Sequence, residues 1–401
     1  MENFYEMWSF DFTPFTYLAG GVALIAQIVL LAVQLQYIRK VANVAIRQRW
    51  LIEHDANDCE PVSVIVYAHS DAWNLPVLIP AIFSQDYKGD IEVVVVNDVA
   101  YDNTEDVVKE LMMTYPALRY TFAPAASRNL SRKKLAITLG IKAASHDVLL
   151  FTGGNCRVPS DSWLSRMMRH VASGKDVVIG YATLRDHDGD PGTGLSSRLM
   201  SFDMIGDSVK YLTAALSGRP YRGNGNNLIY RRRMFFENKG FARSLNLTYG
   251  DDDIMISEIA TADNTAVELS ADAILEARED RPGVMYELDR IHHNFTSGFL
   301  SRTPRVVAGM MSLCWWLWVA GIAVMCWLGA PSLVPVAASV VMACGLWIPF
   351  MISWRRTCVE LKAPHAACVT VPFMMLWHPI YNLRLKIKGF RARRDNYTWS
   401  K

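Results

Sequence analysis

The sequence predicts an α/β domain, a mostly parallel sheet with helices on both faces, attached to transmembrane helices. Three observations predict it. Short β-branched apolar runs alternate with helical stretches through the middle of the chain. Two long stretches without a charged residue lie on either side of that region. Clusters of basic residues border both stretches on the side of the central region.

The first apolar stretch, Phe12 to Ile38, exceeds the roughly 20 residues that cross a bilayer as a helix and is too uniform for a core helix. No residue between Arg305 and Arg355 is charged, and Gly329 to Ser332 sit where a turn would divide that span into a helical hairpin. Arg39, Lys40, Arg47 and Arg49 follow the first helix, Arg302 and Arg305 precede the hairpin, and Arg355 and Arg356 follow it. The positive-inside bias puts all of them in the cytoplasm, so a multi-pass topology with the N-terminus outside is expected. Pro364 to Leu383 is apolar but broken by prolines, with His365 and His378 inside it. Arg384, Lys386, Lys388, Arg391, Arg393 and Arg394 follow. An interfacial or re-entrant segment with its tail near anionic lipid is expected there rather than a fourth crossing. The expected divisions are 1–50, an anchor helix and basic segment; 51–300, a cytoplasmic domain; 301–356, the hairpin; and 357–401, the interfacial segment and tail.

Within the central region Val62–Ala68, Ile91–Asn97, Val148–Thr152 and Val177–Tyr181 read as strands buried on both faces. Trp73–Ser84, Thr104–Tyr115, Arg132–Ala144 and Asp161–Ser173 read as the helices between them. Ligands of such sheets bind at the carboxyl ends of the strands. Those ends carry His69, Ser70 and Asp71; Asn97 and Asp98; and Gly153, Gly154 and Asn155. Other classes are disfavoured. A net charge of +2 argues against a nucleic-acid partner. The seven cysteines form no C-x-x-C pair, and no G-x-G-x-x-G follows the first strand, as a dinucleotide dehydrogenase would require.

Five segments in order, VSVIVYAHSD, SQDYKGDIEVVVVND, SRKKLAITLGIKAA, YRGNGNNLIYRR and GDDDIMISEIAT, resemble the family 2 glycosyltransferases in their membrane-anchored bacterial form. The resemblance covers residues 61 to about 300. It implies a GT-A fold, a nucleotide-diphosphate sugar donor, a glycan or lipid-linked acceptor, and an inner-membrane location. By this resemblance Asp98 holds the base or ribose of the nucleotide, with Asp71 beside it. Arg132 and Lys133 open a helix, where the dipole disfavours cations; either an anionic ligand lies near them or they form a solvated basic face. In Gly250-Asp251-Asp252-Asp253 the catalytic base falls on Asp252, with Asp251 orienting it or meeting the acceptor, although all three acids also suit a helix N-terminus. Asn224, Asn226 and Asn227 could bond sugar hydroxyls or simply form a tight turn.

Two departures stand out. The family's metal-binding Asp-x-Asp reads Gly153-Gly154-Asn155 here, leaving Asn155 one neutral oxygen where Mg²⁺ or Mn²⁺ wants carboxylates. No metal ligand is therefore assigned. The family's Gln-x-x-Arg-type motif reads Asp289-Arg290-Ile291-His292-His293, of which Arg290, His292 and His293 could still meet a phosphate, while the two histidines could instead be interfacial packing residues before the hairpin. Two readings remain open at this level. One is an inverting enzyme with weak or no metal dependence; the other is a pseudo-glycosyltransferase that binds ligand as the partner of an active glycosyltransferase.

Overall fold

In the structure, a computed structural model, residues 8–9, 11–50, 59–98, 102–124, 130–190, 194–363, 366, 370–391 and 397–398 are described. Pro364, His365, Arg393 and Arg394 lie outside them. The two longest β-branched runs form β1 (Val62–Ala68) and β2 (Ile91–Asn97), paired in parallel over their whole length. Alternate residues face opposite ways along a strand. Val64 and Val66 thus join the core beneath α2 (Leu75–Phe83) and α5 (Trp163–Ala172). Ile65 points to the core beneath α4 (Arg132–Ala143) and α6 (Leu195–Leu216). Both faces of the sheet are covered, which is why these strands read as continuous apolar runs.

The sheet has seven strands, in the order β3-β2-β1-β4-β8-β6-β9. The others are β3 (Leu118–Phe122), β4 (Val148–Gly153), β6 (Val177–Ile179), β8 (Leu228–Arg231) and β9 (Thr265–Val267). β8 runs antiparallel to its neighbours β4 and β6, and the remaining pairs are parallel. After β1 the chain crosses to β2 on one side and later returns to β4 on the other, so a topological switch lies at their carboxyl ends. A second sheet joins β5 (Cys156–Arg157), β10 (Leu275–Glu279) and β7 (Ala182–Asp186). β3, β5, β7, β9 and β10 escaped the sequence reading because they are short or mix charged residues into their pattern, as LRYTF and LEARE do.

Among the described residues, three helices are long and apolar enough to cross a membrane: α1 (Pro14–Arg49), α10 (Arg302–Leu328) and α11 (Val334–Glu360). The last two are joined at Gly329–Leu333, where the hairpin turn was expected. α1 packs against both, with the Trp318 indole donating to Gln27 at 3.1 Å. A Cβ on Gly321 of α10 would stand 2.9 Å from the Ala19 carbonyl, so the helices approach closely there. α1 is longer than its apolar stretch. Its last turns bury Ile38, Val41 and Ala45 in the core under the sheet, and Gln48 bonds the Val267 carbonyl at 2.7 Å and the Leu269 amide at 2.8 Å. α1 and the α/β domain therefore share a core. Trp354 is buried against Phe202 and Phe350, its indole donating to the Ala366 carbonyl at 3.0 Å.

The segment expected at the interface contains α12 (Val371–Arg391), which lies against α6 and α9 (Pro282–Thr296). Its inner side buries Met374, Met375 and Leu385. Its outer side exposes Phe373, Trp377, Ile380, Leu383, Ile387 and Phe390 at helical spacing, with Arg384, Lys386 and Lys388 among them.

Candidate active site

Two cavities, of about 30 and about 210 Å³, share Lys133, Gly225, Asn226, Asp251 and Asp252 in their walls, and the smaller opens at the carboxyl ends of β1 and β4. The acids are held there by a turn whose shape depends on Gly250. Its φ of +100° lies in the left-handed region, and a Cβ would sit 2.5 Å from Ile254 Cδ1. α8 (Asp253–Ile259) starts from that turn.

Each acid has a separate environment. Asp251 receives Lys133 Nζ at 2.8 Å; burial would raise its carboxyl, but the lysine holds it below the usual range. Asp252 accepts the Gly225 amide at 3.0 Å and the Asp253 amide at 2.8 Å. Burial, and then the charge of Asp251, push the Asp252 carboxyl up. Asp253 accepts the Ile254 amide at 2.7 Å and the Thr296 hydroxyl, and burial raises it to about 6. Two adjacent carboxyls are thus driven in opposite directions, the usual sign of acid–base assignment.

The three cations that open α4 are answered by the protein itself. Lys133 meets Asp251 and lies 5.3 Å from the Tyr67 ring centroid. Arg132 donates to the Asp98 carbonyl. Lys134 is fully buried and donates to the carbonyls of Ser244, Leu247 and Tyr249 at 2.6, 3.2 and 2.8 Å. It fixes the loop that leads into the acidic motif. The sequence reading missed that role, since nothing in Arg132-Lys133-Lys134 marks the third residue as the buried one.

At the carboxyl ends of β1 and β2, both oxygens of Asp98 are engaged: Oδ1 with His69 Nδ1 at 2.6 Å and Oδ2 with the Tyr67 hydroxyl at 2.6 Å. Asp98 is nearly buried, whereas His69 stands out into solvent at the sheet edge. His69 rather than Asp98 thus presents the accessible polar group, with Asp98 orienting it. Asp71 accepts the His69 amide at 2.8 Å, and burial pushes its carboxyl up to about 7.

Several expected contacts are corrected. Asn227 is buried beneath the site. Its Oδ1 accepts from Trp163 at 3.1 Å, and its Nδ2 donates to the Tyr181 and Ala273 carbonyls at 3.0 and 2.7 Å, leaving nothing for a sugar. Arg290 is also withdrawn. Its Nε meets Asp203 at 2.9 Å, Nη1 meets Asp207 at 3.0 Å and Nη2 meets Asn382 of α12 at 3.0 Å, so no face remains for a phosphate. His293 accepts from Arg222 Nη2 at 2.7 Å, and Arg222 also bonds Asp207 at 2.6 Å. His292 stacks on Tyr249 with ring centroids 3.2 Å apart. Burial lowers both histidines, His292 to about 4 and His293 well below its ordinary value, so neither carries charge near neutrality. Asn226 and Asn224 line the larger cavity, Asn224 Oδ1 also accepting the Asn226 amide at 3.1 Å.

The turn at Gly153-Gly154-Asn155 does not fit a divalent cation. Asn155 turns its amide to the Arg278 carbonyl at 3.1 Å and to Glu279 at 2.9 Å. Asp71 packs so closely on Gly154 that a Cβ there would lie 2.9 Å from Asp71 Oδ2. Among the described residues, no group of three His, Cys, Asp or Glu side chains is placed to hold a metal ion.

The glycosyl transferase family 2 model matches residues 63–254, a span that contains Asp71, Asp98, Lys133 and the three aspartates. Among solved structures, the mannosyltransferase PcManGT from Pyrobaculum calidifontis, in complex with GDP-Man and Mn²⁺, is similar at TM-score 0.52 and 19% identity, over 87% of this chain and 98% of that one. S. aureus TarS 1–349 is similar at TM-score 0.40 and 14% identity, over 84% of this chain and 91% of that one. The first likeness supports the GT-A fold; the second adds nothing to it. No curated protein matches the chain.

Proposed function

The chain belongs to glycosyl transferase family 2 through residues 63–254, and from that premise we propose a membrane-bound enzyme that transfers a sugar from a nucleotide-diphosphate donor to a glycan or lipid-linked acceptor, with inversion. The observation that carries this reading is Asp252. Its carboxylate stands in the wall common to both cavities, held by the Gly225 amide and made more basic by burial. Asp252 takes the proton of the acceptor hydroxyl. That oxygen bonds to the anomeric carbon as the bond from carbon to the diphosphate oxygen breaks, and the nucleoside diphosphate leaves. A single displacement by one base inverts the configuration. Asp251, held by Lys133 at 2.8 Å, orients the base. His69, aligned by Asp98, meets the nucleotide at the sheet edge. The donor set at Asn155 does not suit a metal ion, so no step is routed through one.

The three long apolar helices support membrane association. The basic residues around them favour an inner-membrane, multi-pass arrangement with the domain in the cytoplasm. The apolar and basic outer side of α12 suits a helix lying in the headgroup region, which would put the acceptor cavity beside the bilayer.

The test is Asp252→Asn in the full chain. Nucleoside diphosphate release from a panel of UDP- and GDP-sugars is expected to fall by about 10²–10⁴-fold, while donor affinity stays within about twofold. Donor binding by the wild type without turnover under any metal condition would instead favour a scaffold role beside an active glycosyltransferase.

A further inference from the structure

We propose that the larger cavity is an acceptor subsite that takes uncharged or amine-bearing hydroxyl acceptors and turns away anionic ones, and that Asp289 is the residue that binds them. This rests on the transferase reading above. α9 turns Asp289, His292, His293 and Thr296 toward the cavity at i, i+3, i+4 and i+7, one stripe of the helix. Among the described residues, five aspartates line this cavity against two cations, Lys133 and Arg222.

Neither cation is free for a ligand. Lys133 is bound to Asp251 at 2.8 Å and Arg222 to Asp207 at 2.6 Å. The histidines do not redress the balance. The His293 ring nitrogen that accepts from the Arg222 guanidinium must be unprotonated, and the His292 ring is stacked on Tyr249. Asp207, Asp251, Asp252 and Asp253 all have protein partners. Asp289 differs: it lines the cavity, reaches solvent, and makes no hydrogen bond or ion pair with any described residue. A carboxylate left in this way offers acceptor lone pairs to a diol or an ammonium group. A carboxylate, phosphate or sulfate on the acceptor would meet it with no uncommitted cation to offset the repulsion.

The test uses the full chain in lipid nanodiscs, with nucleoside diphosphate release measured over a panel of UDP- and GDP-sugars. Octyl glucoside, octyl 2-amino-2-deoxyglucoside and octyl glucuronide serve as acceptors. The wild type is expected to prefer the first two over the glucuronide by about tenfold or more in kcat/KM. Asp289→Asn is expected to raise their KM by about tenfold, with donor KM and melting temperature unchanged, and to narrow the gap to the glucuronide. Asp289→Lys should reverse the preference. Equal use of the glucuronide by the wild type, or selectivity unmoved in both variants, would overturn the proposal while leaving the transferase reading intact. Failure of that reading looks different: no acceptor raises release from any donor, and the proposal falls with it.

Discussion

Replacing Lys134 by methionine tests whether one buried cation holds the loop that presents the three aspartates of the acidic motif. The side chain is wholly buried and donates to three backbone carbonyls, those of Ser244, Leu247 and Tyr249. Methionine keeps most of the volume and removes all three bonds. A buried carbonyl left without a partner costs about 1–3 kcal/mol, so the gross loss is about 3–9 kcal/mol. Against this stands the desolvation of the ammonium group, which lowers its pKa from 10.5 to about 8; at about 1.4 kcal/mol per unit, methionine recovers about 3 kcal/mol. A net loss of about 3 kcal/mol is the central expectation. In a domain of this size that lowers the melting temperature by about 6–10 °C. Amide hydrogen exchange should accelerate first across residues 244–250, and turnover should fall more than donor affinity because Asp252 loses its placement. An Lys134→Met protein with unchanged melting temperature and unchanged exchange in that loop would refute the reasoning.

Two further outcomes follow from the same geometry. Asp71, raised to about 7 from 3.8, binds a proton in the folded chain that the unfolded chain has already released. Its contribution is therefore fully present below pH 3.8 and lost as pH rises through 7. Asp71→Asn should thus stabilise relative to wild type more at pH 7.5 than at pH 5, and a difference in melting temperature that is flat across that window would count against it. Arg290→Ala leaves Asp203 and Asp207 short of a buried partner and frees Asn382. A loss of about 3–5 kcal/mol is expected, together with faster proteolysis at α12 and donor affinity close to wild type. A large loss of donor affinity in a still-folded variant would return Arg290 to the phosphate.

Asn227, Arg290 and Asp98 are polar residues near functional motifs, for each of which the sequence allowed a ligand-facing role. Nothing local in a sequence distinguishes a polar side chain that meets solvent from one whose partners lie far along the chain. The partners of Arg290 come from α6 and α12, and those of Asn227 from α5, the end of β6 and the turn before β10. The tail segment posed the same difficulty, because its inner polar residues, His378 and Asn382, answer Asp203 and Arg290.

The sequence by itself determined the elements whose signal is local and periodic. β1 and β2 were legible to the residue because strands buried on both faces must be apolar throughout. The three long apolar helices were legible because each carries an uncharged run long enough, at about 20 residues, to cross a bilayer. The acid motif was legible from its order among neighbouring motifs. The tertiary structure decided everything that depends on pairing at a distance: which of three consecutive basic residues is buried, which carboxylates are already answered, and that Asp289 is left without a partner among the described residues. Those properties belong to the summed field and hydrogen bonding of segments brought together by folding, and no window of sequence contains them.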